Sequence, residues 1–410
     1  MSNEDSFLIG LEYLPRRHGI LWWKSFDRGE VREELAQIAA WGVDAVRIPL
    51  IWEDFQPSSE KINHRALDHL GMALDAAGDA GLRVLPVLFV GPLHGVFCYP
   101  QWAIAPVLEP LAVPLVAERR YARFGRLKPL FTDPHMLEAQ RRFVRECVGF
   151  YSPHPAILGW DMGSWPEQLP LEVSRGMLET WLGQMLEDVG ELAPQLVRTW
   201  GLGPGVLTGA WPLPLSSLLA PLDRLSLHLV PYAEPANQGT LGVDFWSFVI
   251  ELTRLLAGRS LDWPGFGIPT APAGASGHWT DDYVWGRSIR IYLVAEEEAA
   301  ELVVGALAVA YDAGAAGCWV HAYADHPDTL DEEPPYDSIA WARHVGLVRA
   351  DGSEKPAVAA LTRFAARLSS DDKPPRTGLD RQLSLDLEAY ANAPDEQFRR
   401  LYDDWREGEH

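Results

Sequence analysis

The sequence predicts a single (β/α)8 TIM barrel, an α/β fold in which eight parallel strands close inside a ring of helices. Three observations carry this. Short apolar runs alternate with amphipathic segments, and eight such pairs follow one another along the chain. No short-period repeat competes with that rhythm. Hydrophobic residues make up 47% of the 410 residues, ample for one large core with insertions.

Taken in order, residues 7–13 form the first strand. Residues 31–41 are helical, with Val31, Leu35, Ile38 and Ala39 on one stripe. Residues 45–50 are the second strand, 66–80 a helix and 83–90 the third strand. A long loop rich in proline and aromatics runs from 91 to about 131. Asp133-Pro134 then caps a helix to residue 150, since proline suits the first helical turn. The fourth strand is 156–162, followed by a helix over 171–189 and a fifth strand over 195–200. The sixth strand is 224–230, with a helix over 243–256. The seventh strand lies near 261–267, a helix spans 296–313, and 317–323 is the eighth strand. Residues 369–377 are polar and proline-rich and read as a linker. Beyond it Leu387, Tyr390, Phe398, Leu401, Tyr402 and Trp405 fall in a helical tail that should dock on the barrel. The organisation is thus a barrel over 1–368 and a linker with packed helical tail over 369–410.

The formal net charge of −22 repels phosphate backbones, so nucleic acid and anionic membrane are excluded as partners. Cys98, Cys147 and Cys318 are odd in number and lack metal-ligand or CxxC spacing, which argues for a reducing compartment. The acidic start has no basic region followed by an apolar one, and no apolar run is long enough for a bilayer. A cytoplasmic protein is expected. His18, His64, His154 and His278 are scattered, so no metal is expected, and no phosphate or dinucleotide fingerprint implies a cofactor.

Gly10-Leu11-Glu12-Tyr13, Val46-Arg47-Ile48-Pro49 with Trp52-Glu53-Asp54-Phe55-Gln56-Pro57, and Leu88-Phe89-Val90-Gly91 with His94 end the first three strands. Gly159-Trp160-Asp161-Met162-Gly163-Ser164-Trp165-Pro166 ends the fourth, Ser226-Leu227-His228 with Pro231-Tyr232 the sixth, and Trp319 with His321 the eighth. In this order and spacing the chain resembles the clan A glycoside hydrolases, closest to the family 5 cellulase and mannanase type. The resemblance implies a retaining site with two carboxyl groups about 5–5.5 Å apart, one acid/base and one nucleophile. By that resemblance the acid/base position is Trp165 and the nucleophile position is Gly265. Tryptophan is no useful proton donor to a leaving group, and glycine carries no nucleophile. Both losses fall at the chemical centre.

Other carboxylates are weaker catalytic candidates. Strand alternation points Asp161 into the barrel below Trp165, where an ion pair with Arg47 is expected. Glu12 stands where the family has an asparagine and adds a carboxylate to the mouth. Glu167 lies just past Trp165 in a loop, where a solvent-facing role is the plain expectation. The polar groups expected to bind a ligand are Arg47, Trp52, Glu53, His94, Trp165, His228, Tyr232, Trp319 and His321, placed at strand ends where barrel ligands bind. The chain has 17 tryptophans, and indole faces stack on sugar rings. Trp23, Trp41, Trp181 and Trp341 are expected in the core instead. Three uses fit these residues. The first is a saccharide-binding pseudoenzyme. The second is an active carbohydrate enzyme with relocated carboxylates, for instance Glu12 with Glu167. The third is a protein–protein scaffold whose pocket Trp165 plugs.

Overall fold

The computed structural model describes residues 7–111, 113–211, 215–229, 242–284, 287–337, 339–370 and 383–408. Eight parallel strands close a barrel: β1 (Leu8–Glu12), β2 (Ala45–Pro49), β3 (Arg83–Val87), β4 (Gly159–Ser164), β5 (Val197–Leu202), β6 (Arg224–Leu229), β7 (Trp263–Gly267) and β8 (Gly317–His321). Each strand pairs with its neighbours in chain order, and β8 closes on β1 with Trp319 opposite Gly10. All eight predicted strands form. The fourth and fifth lie two to three residues later than their apolar runs suggest, because Ala156 to Leu158 approach β3 only through isolated bonds.

Helices α1 (Arg28–Ala40), α2 (His64–Asp79), α3 (Pro134–Tyr151), α4 (Arg175–Leu192), α5 (Val243–Ala257), α6 (Glu296–Asp312) and α7 (Pro356–Leu368) surround it. Asp27 and Asp133 cap α1 and α3 by accepting bonds from two backbone N–H groups each. Gly258 ends α5 in the left-handed region, where a side chain would be strained.

Alternate residues of the strands fill the barrel in layers. At the bottom Trp263 and Trp319 cross edge to face at 5.9 Å and pack on Ala45 and Leu85. Gly10 makes room for them, since a Cβ there would come within 2.1 Å of the Trp319 ring. Two residues further along each strand stand Arg47, Asp161 and Ser226, and at the upper strand ends Glu12, His228 and His321. The indole plug therefore supports a polar layer beneath the C-terminal mouth.

Three additions complete the molecule. The segment after β3 is built of short strands, including Pro92–Leu93, Val96–Cys98 and Leu115–Ala117, with Leu93, Val96, Phe97 and Tyr99 buried. An antiparallel pair, His278–Val284 with Arg287–Leu293, sits between β7 and α6 and was not expected from the sequence. Finally α8 (Leu387–Asn392) and α9 (Pro394–Glu407) close the chain. Phe398, Tyr402 and Trp405 ring Phe248 of α5, and the Tyr390 hydroxyl donates to the Leu207 carbonyl at 2.6 Å. Most of the expected linker falls outside the described residues. Among the described residues no helix is long and apolar enough to cross a membrane.

Candidate functional site

The polar layer is organised by one guanidinium. Arg47, 1% exposed, donates from Nη1 to Glu12 Oε2 at 2.7 Å and from Nε to Asp161 Oδ2 at 3.0 Å. Its Nη2 lies 2.9 Å from Asp161 Oδ2 and donates to the Ser164 hydroxyl at 3.1 Å. The other Asp161 oxygen accepts from the Gly163 and Gly201 N–H groups, both at 3.0 Å. Asp161 is thus fully committed, and the expected ion pair is present. Buried charges persist only when paired and bonded in this way.

Above this layer a cavity opens at the C-terminal mouth, enclosing about 480 Å³ with the solvent at its opening included. Glu12, His94, Trp165, His228 and His321 line it, together with Ser164, Phe266 and Trp341. The sequence candidates brought together are therefore these first five. Glu12 is the one carboxylate among the lining residues. Its Oε1 accepts from His321 Nδ1 at 2.9 Å. Burial alone would raise the Glu12 carboxyl, but His321 and Arg47 outweigh it and hold it far below the usual carboxylate range. A group held so firmly ionised is a poor proton donor to a leaving group.

The structure shows the surroundings of Trp165 and Gly265, the two positions that the family resemblance singled out. Trp165 leaves β4 in the left-handed region at φ 48°, so the strand alternation that predicted its direction ends one residue earlier. Its ring lies against Gly203, still reaches the cavity and does not close it. At Gly265 the space is taken by His228, whose Nδ1 would stand 2.4 Å from a Cβ. The Ser226 hydroxyl donates to the Trp263 carbonyl and therefore accepts from His228 Nε2 at 3.1 Å. Among the described residues that line the cavity no second carboxylate faces Glu12, so the two-carboxylate arrangement of retaining glycosidases is not formed by them.

His94 is the unexpected feature. It too sits in the left-handed region, at φ 49°, a strained conformation for a non-glycine residue. Its ring is boxed by His321, His326, Tyr336 and Trp341. Only 3% of the residue is exposed, yet neither ring nitrogen has a hydrogen-bond partner among the described residues. Burial, aided by His326 and His321, pushes it well below the ordinary histidine value, so the ring is neutral. His228 is likewise kept neutral by burial, with Arg47 adding to it.

Several expected ligand-binding residues lie elsewhere. Arg47 is beneath the cavity, spent on the two carboxylates. Trp52 is buried among Phe89, Tyr99 and Trp102, with Nε1 bonded to Gln56 Oε1 at 2.6 Å. Glu53 faces outward, paired with Lys24 at 2.6 Å. Trp319 belongs to the indole plug two residues below His321. Glu167 is not solvent-facing: it is buried, accepts from the Gly203 N–H at 3.2 Å and does not line the cavity. Trp341 is buried in the core as expected and also forms a wall of the cavity. Tyr232 lies outside the described residues. Among the described residues no group of three or more His, Cys, Asp or Glu side chains is placed to hold a metal ion.

No family model and no curated sequence matches the chain. Solved structures do. An exo-β-1,4-mannosidase, Op5Man5 from Opitutaceae bacterium strain TAV5, superposes with a TM-score of 0.70 at 22% identity over 89% of this chain. The chain spans 62% of that protein's length. GH5_18 from Streptomyces cattleya, solved with GlcNAc, superposes with a TM-score of 0.74 at 21% identity, covering 97% of this chain and 91% of that one. A variant of the Streptomyces cattleya protein was solved with Manβ1-4GlcNAc, at 22% identity and a TM-score of 0.72 over 97% and 92% of the two chains. The fold is the barrel of the family 5 glycoside hydrolases.

Two outcomes follow from this geometry. Gly265→Ala should destabilise the protein by about 1–3 kcal/mol, because its Cβ collides with His228. In a His228→Ala background most of that cost should vanish, a coupling that urea denaturation of the four proteins measures. Burial also pushes His326 down to about 4, against an ordinary value near 6.5. The unfolded chain then binds more protons than the fold between those values, so this contribution is complete above pH about 6.5 and is lost as pH falls toward 4. The fall in urea midpoint over that window should be shallower in His326→Gln.

Proposed function

We propose that this protein binds a saccharide at the mouth of its barrel and does not cleave glycosidic bonds by double displacement. The observation that carries the reading is a cavity open at the mouth and walled by imidazole and indole rings, with a single, firmly ionised carboxylate and the His94 ring nitrogens left without partners among the described residues. A neutral imidazole both donates and accepts, as a sugar hydroxyl does. A buried polar group left unpaired is costly, and a ligand hydroxyl removes that cost. Trp165 and Trp341 offer apolar ring surface to the pyranose. The fold neighbours solved with GlcNAc and Manβ1-4GlcNAc make mannose- and GlcNAc-type sugars the first ligands to try. The three cysteines are buried and free, which suits a cytoplasmic setting.

Titration calorimetry with mannose, GlcNAc and Manβ1-4GlcNAc should show binding of at least one. Chromatography of the disaccharide after prolonged incubation should show it intact. Released monosaccharide that disappears in Glu12→Gln would overturn the reading in favour of an active glycosidase, and absence of binding to any sugar would favour the scaffold.

His94 supplies a second measurement. His94→Leu should weaken sugar binding roughly tenfold, the worth of one good hydrogen bond. The same change should stabilise the free protein by about 1–2 kcal/mol, because it removes an unpaired buried polar group. A structural histidine would show the opposite sign in urea denaturation.

A further inference from the structure

Strand β7 presents glycine twice on its inward face, at 265 and 267. Each glycine is covered by a histidine from a flanking strand. A Cβ at 265 would meet His228 Nδ1 at 2.4 Å, and one at 267 would meet His321 Cδ2 at 3.2 Å. The strand that carries a nucleophile in the related fold here seats two imidazoles.

Their ring orientations are set from behind. Ser226, which gives its own proton to the Trp263 carbonyl, takes the Nε2–H of His228 and leaves Nδ1 with a lone pair. Glu12 takes the Nδ1–H of His321. Both rings line one cavity. Their electrostatic surroundings differ. His228 is kept neutral by burial first and by the Arg47 cation second, whereas His321 is bonded to the Glu12 carboxylate. Among the described residues the charged and titratable groups near the pair are Glu12, Arg47, His94 and His326, and Glu296 and Lys355 line a second cavity that His321 also borders. A ring beside a guanidinium and a ring beside a carboxylate, in one cavity, are placed as base and acid.

We propose that His228 and His321 catalyse anomeric exchange of a bound reducing sugar, an activity that rests on the saccharide-binding reading above. His228 Nδ1 takes the proton from the anomeric O1–H, and that O–H electron pair becomes the second C1–O1 bond. The C1–O5 bond breaks with its electrons on O5, and O5 takes the Nε2 proton of the His321 imidazolium. The open-chain aldehyde turns about C1–C2 and closes on its other face. Reclosure returns a proton from His228 to O1 and one from O5 to His321. No electrons are gained or lost overall and no co-reactant is consumed. Proton abstraction from carbon fits less well. The Arg47 donors are spent on Glu12, Asp161 and Ser164, so this guanidinium is not free to stabilise an enediolate.

The test is exchange NMR on mannose or GlcNAc with the full-length protein, read beside calorimetry on the same sugar. An equal concentration of free imidazole serves as the reference. Saturating protein should accelerate α–β interconversion roughly a hundredfold or more above that reference, the low end of what positioned acid–base groups give. The pH profile should have two limbs, one for each histidine. His228→Gln and His321→Gln should each return the rate to the reference while the sugar still binds. Binding without acceleration overturns the proposal and leaves the saccharide-binding reading intact, whereas no binding overturns both. An undiminished rate in either variant also overturns it. Should a variant fail to fold, the wild-type rate and its two-limbed profile decide the matter alone.

Discussion

The interaction on which the rest of the site depends is the shared guanidinium of Arg47. Two carboxylates from opposite sides of the barrel converge on it, and neither could remain ionised at that depth without it. Asp161 ties β4 to β5 through the Gly201 N–H, and Glu12 ties β1 to β8 through His321. One cation thus joins five strands. It also fixes what each carboxylate can do. Asp161 has no free lone pair directed at the cavity, and Glu12 is held ionised. The polar layer is a rigid floor that orients the histidines above it.

That floor leaves the mouth above it free of close carboxylate pairs among the described residues. Half-buried charges held close together are a liability to stability. Here Trp165 is an indole packed on Gly203, and Gly265 is a glycine covered by an imidazole. The strain that remains is local, at the left-handed backbones of Trp165 and His94.

Much of the barrel was legible in the sequence, because a strand's alternation and a helix's apolar stripe are local patterns. The pairing of Arg47 with Asp161 was legible for the same reason, since both fall on the inward phase of their strands. Depth was not. Trp319 and His321 share a face, and only the register with β1 shows that the first lies beneath Gly10 and the second beside Glu12. Glu167 read as exposed because its partner, the Gly203 N–H, is contributed by another strand end. Trp341 gave no signal, as it reaches the cavity from a short 3-10 turn (Ala340–Arg343) after β8. The role of His94 depends on a positive φ and on four rings distant in sequence. No local pattern encodes either.

The glycine at 265 has one more consequence, for the routes by which the chain can change. Glycine and glutamate codons can lie a single base apart, so a carboxylate at this strand end looks one step away. The His228 ring occupies the space such a side chain would need. A carboxylate at this strand end must therefore wait for a smaller residue at 228, a change that empties the cavity wall before any new chemistry exists to favour it. The order of the two substitutions is set by the packing of one ring.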